Sequence, residues 1–263
     1  MRLKLAISSC PNDTFMFDHF LKHSDFDIEL LIEDIESLNK LAIQGETDIT
    51  KLSYHTFAKL TDSYNLLNAG GALGENCGPI LVSKHKAYPD EISEIKIAIP
   101  GEMTTANLLL QIFYPQATNK QVYIFSDIEE AVLDGECDAG LIIHESRFTY
   151  EKKGLKKIID IGELWEASYH LPTPLGGIAI HKRVPKTIAT QIDNALKDSI
   201  LHAFEYPEEA MPFIRKHAQE MEDEVMKKHI ALYVNHYSVG DDPAVKKAID
   251  KLLELHNLQL SKQ

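Results

Sequence analysis

Short apolar stretches alternate with amphipathic stretches along most of the chain, and this alternation constrains the fold more strongly than any other feature. "LKLAISS" at 3–9 and "DIELLIED" at 27–34 have the composition of strands, while "PNDTFMFDHFLKH" at 11–23 and "IESLNKLAIQG" at 35–45 have the spacing of helices. Strands that alternate with helices form βαβ units, whose strands run parallel. The sequence therefore predicts an α/β fold with mostly parallel sheets.

The same order of elements occurs twice. The first set continues with a strand at 48–53 and is completed by strands at 64–70 and 77–84. The second set has strands at 96–101, 121–126 and 138–144 with helices at 104–114 and 127–135. "GETD" at 45–48 and "GECD" at 135–138 stand at the same helix-to-strand junction of the two sets. Gly and Asp are common in turns of any fold, so the motif alone does not establish a repeat. The matching order of elements around it indicates two similarly built lobes.

Two segments of similar apolar alternation, "PILVSK" at 79–84 and "GIAIHK" at 177–182, are interpreted as the strands that carry the chain between the lobes. The second lobe is then an insertion, so that residues 1–83 with 180–263 form the larger lobe and residues 84–179 the smaller one. Two such lobes enclose a cleft at the carboxyl ends of their strands. Open α/β sheets bind ligands in this position.

Charge and composition exclude several classes of partner and cofactor. The chain has 40 acidic and 27 basic residues, a net charge of −13, and its basic residues are scattered, which disfavours nucleic acid. No apolar run approaches the roughly 18 residues of a membrane span, and the N-terminus does not have the pattern of a signal peptide. His and Cys do not cluster at zinc spacing, and no glycine-rich phosphate loop occurs. We expect no metal, no cofactor and no membrane partner; the sequence does not indicate an oligomeric state.

The three cysteines form no C-x-x-C pair and are odd in number, which fits a reducing cytoplasm. Cys10 lies in "SSCPNDTF", where Ser8, Ser9 and the start of a helix are suited to binding an anion or simply to capping the helix. A helix N-terminus lowers a thiol pKa, so Cys10 is either a nucleophile or a buried free thiol.

Two further segments offer groups for an anionic ligand. In "KLSYHT", Lys51 is suited to a substrate carboxylate or to a surface ion pair, and Ser53 to a ligand or to a helix cap. In "GEMTTA", Thr104 and Thr105 open a helix, and capping accounts for only one of the two hydroxyls. The sequence therefore predicts a small carboxylate as the ligand.

His144 ends the apolar strand of "GECDAGLIIHES". A neutral imidazole at pH 7 accepts a proton, and the end of a strand in the cleft is a suitable position for a general base. The alternative is a structural histidine. His170, just before "LPTPLGG", is the competing candidate.

"SSCPNDTF", "DITKLSYHT", "GEMTTANLLL", "LIIHESRFTYE" and "LPTPLGGIAI" occur in this order between residues 3 and 185. Together they resemble the 1,4-dihydroxy-6-naphthoate synthases of the futalosine route to menaquinone. The resemblance implies a two-lobed, type II periplasmic-binding-protein-like fold and a carbon–carbon lyase. Its substrate is cyclic dehypoxanthinyl futalosine, and the fragment released is dihydroxyacetone. By position, the resemblance implies His144 as the proton acceptor. It also implies substrate contacts from Lys51, Leu52 and Ser53, partly through their backbone, and from Thr104 and Thr105 of the other lobe.

Two alternatives remain open. The chorismate dehydratase of the same route has a similar fold and also takes a carboxylate. A cytoplasmic protein of this fold that binds a small acid without chemistry would use the same cleft.

Overall fold

The computed structural model of the protein describes residues 1–85, 88–218, 222–240 and 242–261, so the predicted lobe ranges extend over residues outside the described part. The strands are β1 (Arg2–Ser8), β2 (Asp27–Glu33), β3 (Ile49–Ser53), β4 (Tyr64–Leu66), β5 (Ala72–Gly74), β6 (Ile80–Ser83), β7 (Ile97–Ile99), β8 (Lys120–Val122), β9 (Ala139–Ile142), β10 (Lys156–Asp160) and β11 (Thr173–His181). The helices are α1 (Pro11–His23), α2 (Ile35–Ile43), α3 (Tyr54–Leu60), α4 (Thr105–Phe113), α5 (Ile128–Leu133), α6 (Ser146–Thr149), α7 (Ile161–Tyr169), α8 (Lys186–Glu205), α9 (Pro207–His217), α10 (Asp223–Tyr233), α11 (His236–Val239) and α12 (Pro243–Leu260).

The strands form two sheets of related topology. The first has the order β2-β1-β3-β11-β4, with β5 also pairing with β11, and the second has the order β10-β6-β9-β7-β8. In the first sheet β1 runs parallel to β2 and β3, and in the second β7 runs parallel to β8 and β9. Next to these, β11 and β6 are both antiparallel. The order β2-β1-β3-β11 thus recurs as β8-β7-β9-β6, which confirms two similarly built lobes; the sheets themselves are mixed rather than mostly parallel.

The chain changes sheet near the two segments that were interpreted as connections, but the pairing differs from the predicted boundaries. β6 pairs with β9 and β10, so it belongs to the second sheet and not to the larger lobe. β11 pairs with β3, β4 and β5, so nearly all of it belongs to the first sheet. Apolar alternation identifies a strand but not its partner, which is why both boundaries were placed a few residues late.

The Gly-Glu-x-Asp motif has the same structural role in both lobes. Its glycine has a positive φ, 70° at position 45 and 78° at position 135, as a helix C-terminus requires. Its aspartate accepts the backbone N–H of a lysine at the first strand of the lobe: Asp48 from Lys4 at 2.9 Å and Asp138 from Lys96 at 2.8 Å. The motif therefore joins the third strand of each lobe to the first.

The two lobes share part of their apolar core. Leu252 of α12 lies in one buried cluster with Tyr54 of the first lobe and Leu109 of the second. A Cβ on Gly78, between β5 and β6, would lie 2.3 Å from the Cα of Gly162, so only glycine permits this approach of two backbones from different elements. No helix in the part of the chain that the structure describes is long and apolar enough to cross a bilayer.

Candidate active site

A cleft with about 640 Å³ of empty space, partly open to solvent, lies where β3 of the first sheet, α4 of the second lobe and the end of β9 meet. Five of the six predicted site residues line it, namely Lys51, Ser53, Thr104, Thr105 and His144. Its lining consists of Ser8, Asn12, Ile35, Lys51, Ser53, Ala72, Cys77, Gly78, Pro79, Thr104, Thr105, Ala106, Ile143, His144, Leu175, Gly176 and Tyr233.

Leu52, the sixth predicted residue, does not line the cleft. Its side chain is fully buried in a small apolar cluster with Phe57 and Tyr64, on the other face of β3. Side chains of a strand alternate between its two faces, so Lys51 and Ser53 point to the cleft while Leu52 points away. Its backbone pairs with Gly177 of β11.

Lys51 is a buried ammonium held beside a buried carboxylate. Its Nζ lies 3.1 Å from Oδ1 of Asp13, and both side chains are almost inaccessible to solvent. Asp13 also accepts hydrogen bonds from the backbone N–H and the Oγ of Ser8, at 3.1 and 2.6 Å, and from Nδ2 of Asn12 at 2.8 Å. Nζ of Lys51 meets hydrogen-bond geometry with no described group, Asp13 included, so its N–H donors are available to a ligand.

Two helices begin at the cleft and direct unpaired backbone N–H groups towards it. Cys10 is the N-cap of α1 and makes no side-chain cap bond to that helix, and Thr104 is the N-cap of α4. Among the described residues, the N–H groups of Asn12, Thr105 and Ala106 have no hydrogen-bond acceptor. Helix N-termini carry partial positive charge, so this cleft is suited to an anionic ligand in spite of the net negative charge of the chain.

Both threonine hydroxyls donate to carbonyl groups of the protein, so neither offers a free donor to a ligand. Thr104 Oγ1 donates to the Gly101 carbonyl at 2.8 Å and accepts the N–H of Asn107 at 3.3 Å. Thr105 Oγ1 donates to the Leu175 carbonyl at 2.5 Å, which ties α4 of the second lobe to β11 of the first. Capping therefore accounts for one hydroxyl and an inter-lobe bond for the other, and the backbone of this segment is what remains for the ligand.

Ser53 is positioned by a single side chain. Asn39 of α2 accepts the Ser53 N–H at 3.0 Å and donates its Nδ2 to Ser53 Oγ at 3.1 Å. The Ser53 hydroxyl makes no cap bond to α3, so its proton is available to a ligand. Ser53 stands at the N-cap position of α3, but its side chain does not cap the helix, so that alternative was wrong.

His144 follows β9 in the left-handed backbone region, at φ 57°. Its ring is half-buried, its Nδ1 lies 3.3 Å from Sγ of Cys10, and it packs edge-on against Phe125, with ring centroids 4.9 Å apart. Burial lowers the pKa of His144 to about 4, so the ring is neutral at pH 7. The competing candidate His170 is exposed and ends α7 at φ 52°, away from the cleft lining.

Sequence reasoning missed the surroundings of His144. Cys10 had no histidine near it in sequence, yet His144 is its contact across the cleft, and His229 of α10 stacks on His144 with ring centroids 6.0 Å apart. Burial raises the pKa of the Cys10 thiol, so Cys10 is a neutral thiol at pH 7 rather than an activated nucleophile. His229 lies in α10, and no local sequence pattern distinguished it from the other histidines.

Two α/β lobes with a ligand cleft between them define a periplasmic-binding-protein-like fold. Known structures agree: a Candida albicans protein described as having the generic periplasmic binding protein fold matches with a TM-score of 0.70 at 15% identity, over 98% of this chain and 90% of that chain. The crystal structure of protein AF1704 from Archaeoglobus fulgidus matches with a TM-score of 0.92 at 34% identity, over 98% of this chain and 97% of that one.

Sequence comparison then identifies the family. A family model described as menaquinone biosynthesis matches residues 3–257. A curated relative from Thermus thermophilus, 1,4-dihydroxy-6-naphthoate synthase, is 39% identical over 253 residues, which cover 95% of this chain and 92% of the relative. The chain belongs to the menaquinone biosynthesis family.

Proposed function

We propose that the protein converts cyclic dehypoxanthinyl futalosine to 1,4-dihydroxy-6-naphthoate and releases dihydroxyacetone, as a cytoplasmic carbon–carbon lyase. The observation that carries the proposal is a neutral imidazole, His144, in the same cleft as the buried ammonium of Lys51. The similarity to a curated 1,4-dihydroxy-6-naphthoate synthase supports the choice of product. Three free, buried cysteines are compatible with a reducing compartment.

The first task of the site is to hold the substrate carboxylate. The Lys51 ammonium and the N-termini of α1 and α4 supply positive potential, and the unpaired N–H groups there supply directed donors. Apolar side chains such as Ile35, Ile143 and Leu175 line the same cleft and suit an aromatic ring system. The charged end of the substrate is thereby fixed while its bicyclic part lies against apolar surface.

The second task is to remove a proton. His144 is neutral and accepts it with the free lone pair of its ring, the sugar-derived part leaves as a three-carbon fragment, and the remaining bicycle becomes aromatic. Aromatisation supplies driving force, so one positioned base contributing about 10²–10⁴-fold is an adequate catalyst for the step. The proton on His144 is returned to solvent or to the leaving fragment.

The depressed pKa of His144 predicts an unusual pH profile. A general base works only when it is unprotonated, so activity is lost as the pH falls through the pKa of about 4 in the folded enzyme. We expect kcat/KM to stay level from about pH 8 to about pH 5.5, with no inflection near 6.5, the ordinary value for histidine. Initial rates at saturating and limiting substrate across this range measure it. An inflection near 6.5 in folded enzyme would contradict a buried, neutral base.

Folding must be followed in parallel, because protonation also destabilises the protein. Burial lowers the pKa of His55 and His256 as well as that of His144, so the unfolded chain binds more protons below about pH 6.5. The contribution of these histidines to the free energy of unfolding is therefore fully present above about pH 6.5 and declines as the pH falls below it. Fluorescence of Trp165, which is fully buried, reports whether the enzyme is folded at each pH.

The substrate itself is tested with purified protein, cyclic dehypoxanthinyl futalosine and chorismate in separate reactions followed by mass spectrometry. We expect 1,4-dihydroxy-6-naphthoate and dihydroxyacetone in equal amounts from the first compound and no change in the second. Loss of water from chorismate would identify a dehydratase. Binding of either compound without turnover would identify a non-catalytic binding protein, and both results would overturn the proposal.

A further inference from the structure

Cys10, His144 and His229 bring a thiol and two imidazoles together beside the cleft, which His144 lines. Cys10 precedes α1, His144 follows β9 and His229 lies in α10, so three separate elements from the two lobes converge. One ligand atom from each residue lies within 4.8 Å of the others, and Cys10 Sγ and His144 Nδ1 are 3.3 Å apart. Tetrahedral zinc, with bonds of about 2.0–2.3 Å to nitrogen and sulfur, places its ligand atoms roughly 3.5 Å apart. A modest side-chain adjustment brings these three atoms to that spacing.

His229 is the independent sign of a ligand. It is fully buried, yet neither Nδ1 nor Nε2 has a hydrogen-bond partner among the described residues. Buried polar atoms are nearly always paired, because leaving them unpaired costs free energy. The neighbours of the ring are His144 and Tyr233, with centroids 6.0 and 4.6 Å away. A bound cation would give one of these nitrogens a partner that the protein does not supply.

The local charges allow a cation despite the nearby ammonium. The charged groups that act on the Cys10 thiol are the carboxylates of Glu145 and Asp13 and the ammonium of Lys51. Two negative charges therefore face one positive charge before any metal enters. Deprotonation of the thiol adds a third negative charge at the ligand atom itself.

From this arrangement we infer that Cys10, His144 and His229 form a binding site for a soft divalent cation such as zinc, and that the bound cation inhibits the enzyme. Sulfur and imidazole nitrogen are the donors that zinc prefers. The ion enters through the cleft that His144 lines, and water from the cleft occupies its fourth position. Binding replaces the thiol proton by a metal–sulfur bond, and this proton passes to solvent.

Inhibition follows from the chemistry of the imidazole. A neutral ring has one nitrogen lone pair able to accept a proton, and coordination uses it while the other nitrogen keeps its hydrogen. His144 with bound metal is then no longer a base. This part of the inference depends on the proposed function, whereas the binding of the metal does not.

Metal binding is tested with chelator-treated full-length protein, kept reduced and titrated with Co²⁺ and then with Zn²⁺. Cobalt bound to a thiolate gives a ligand-to-metal charge-transfer absorption, which reports the sulfur ligand directly. We expect this absorption in the wild type and its loss in Cys10→Ser. We also expect zinc affinity to fall at least about 100-fold in both Cys10→Ser and His229→Gln. Loss of a residue that is only hydrogen-bonded to a metal ligand typically costs about 10–100-fold, so a larger loss indicates a direct ligand.

The matched control is Cys137→Ser, since Cys137 is another buried free thiol but does not belong to the group formed by Cys10, His144 and His229. It must keep the cobalt absorption, and circular dichroism must show that each variant is folded. No absorption in the wild type, or equal absorption in Cys10→Ser and wild type, overturns the site. Naphthoate formation should stop at one equivalent of zinc and return with chelator; continued turnover by zinc-loaded enzyme overturns inhibition alone. If metal-free enzyme converts neither cyclic dehypoxanthinyl futalosine nor chorismate, the proposed function fails. The cobalt absorption still shows whether the metal site exists, because it does not depend on turnover.

Discussion

Replacing His144 by Asn is expected to lower kcat/KM by about 10²–10⁴-fold, the contribution of a positioned general base. Asn is the informative substitution because it tolerates the left-handed backbone that His144 adopts at φ 57°, whereas Ala adds strain to the loss of the ring. The Asn side chain is polar but is not a base at any pH used. The measured loss therefore belongs to the imidazole and not to the loop.

Binding must be measured separately from turnover. Lys51 and the N-termini of α1 and α4 are untouched in His144→Asn, so we expect the Kd for the naphthoate product to change less than about tenfold. The control is His170→Asn, at the other histidine that ends a segment in the left-handed region but does not line the cleft. It should keep full activity. A rate for His144→Asn equal to that of the control would remove His144 from the mechanism.

The sequence predicted the parts of the fold that depend on local periodicity. α1, for example, spans Pro11–His23, the predicted residues, because Pro favours the first turn and the apolar spacing continues to His23. The boundaries between the lobes were less accurate, since β6 and β11 have similar apolar patterns and only pairing assigns each to a sheet. Alternation records burial, not the identity of the neighbouring strand.

The site was predictable as a set of strand and helix ends but not as a set of contacts. β3 of the first sheet and β9 of the second both end at the cleft between the lobes, which is why Lys51, Ser53 and His144 line it. The pairing of Lys51 with Asp13 and the contact between Cys10 and His144 each join residues far apart in sequence. Such contacts depend on the packing of complete elements, and no spacing rule encodes them.

The largest effect on stability is expected from Asp13→Asn. This change removes the one carboxylate within 4.0 Å of the Lys51 ammonium among the described residues and leaves a buried cation without its counter-charge. Breaking a buried ion pair in this way costs about 3–5 kcal/mol, a large share of the roughly 5–15 kcal/mol by which a domain is stable. The new amide also places an N–H donor at one of the two carboxylate oxygens, which now accept hydrogen bonds from Ser8 and Asn12. The oxygen Oδ1 also lies 3.1 Å from the ammonium. Urea unfolding followed by circular dichroism measures the free energy of unfolding.

A second substitution separates the charge from the shape of the site. Lys51→Met in the Asp13→Asn background removes the stranded ammonium while keeping most of its aliphatic stem, so most of the lost stability should return although substrate binding does not. The surface pair of Arg215 and Asp223, 2.6 Å apart and about half exposed, is the matched control. Asp223→Asn there should cost less than about 1 kcal/mol, because water already solvates both charges. If Asp13→Asn costs no more than Asp223→Asn, or if Lys51→Met fails to restore stability, then Asp13 does not stabilise the protein through the ammonium, and Lys51 owes its position to other contacts.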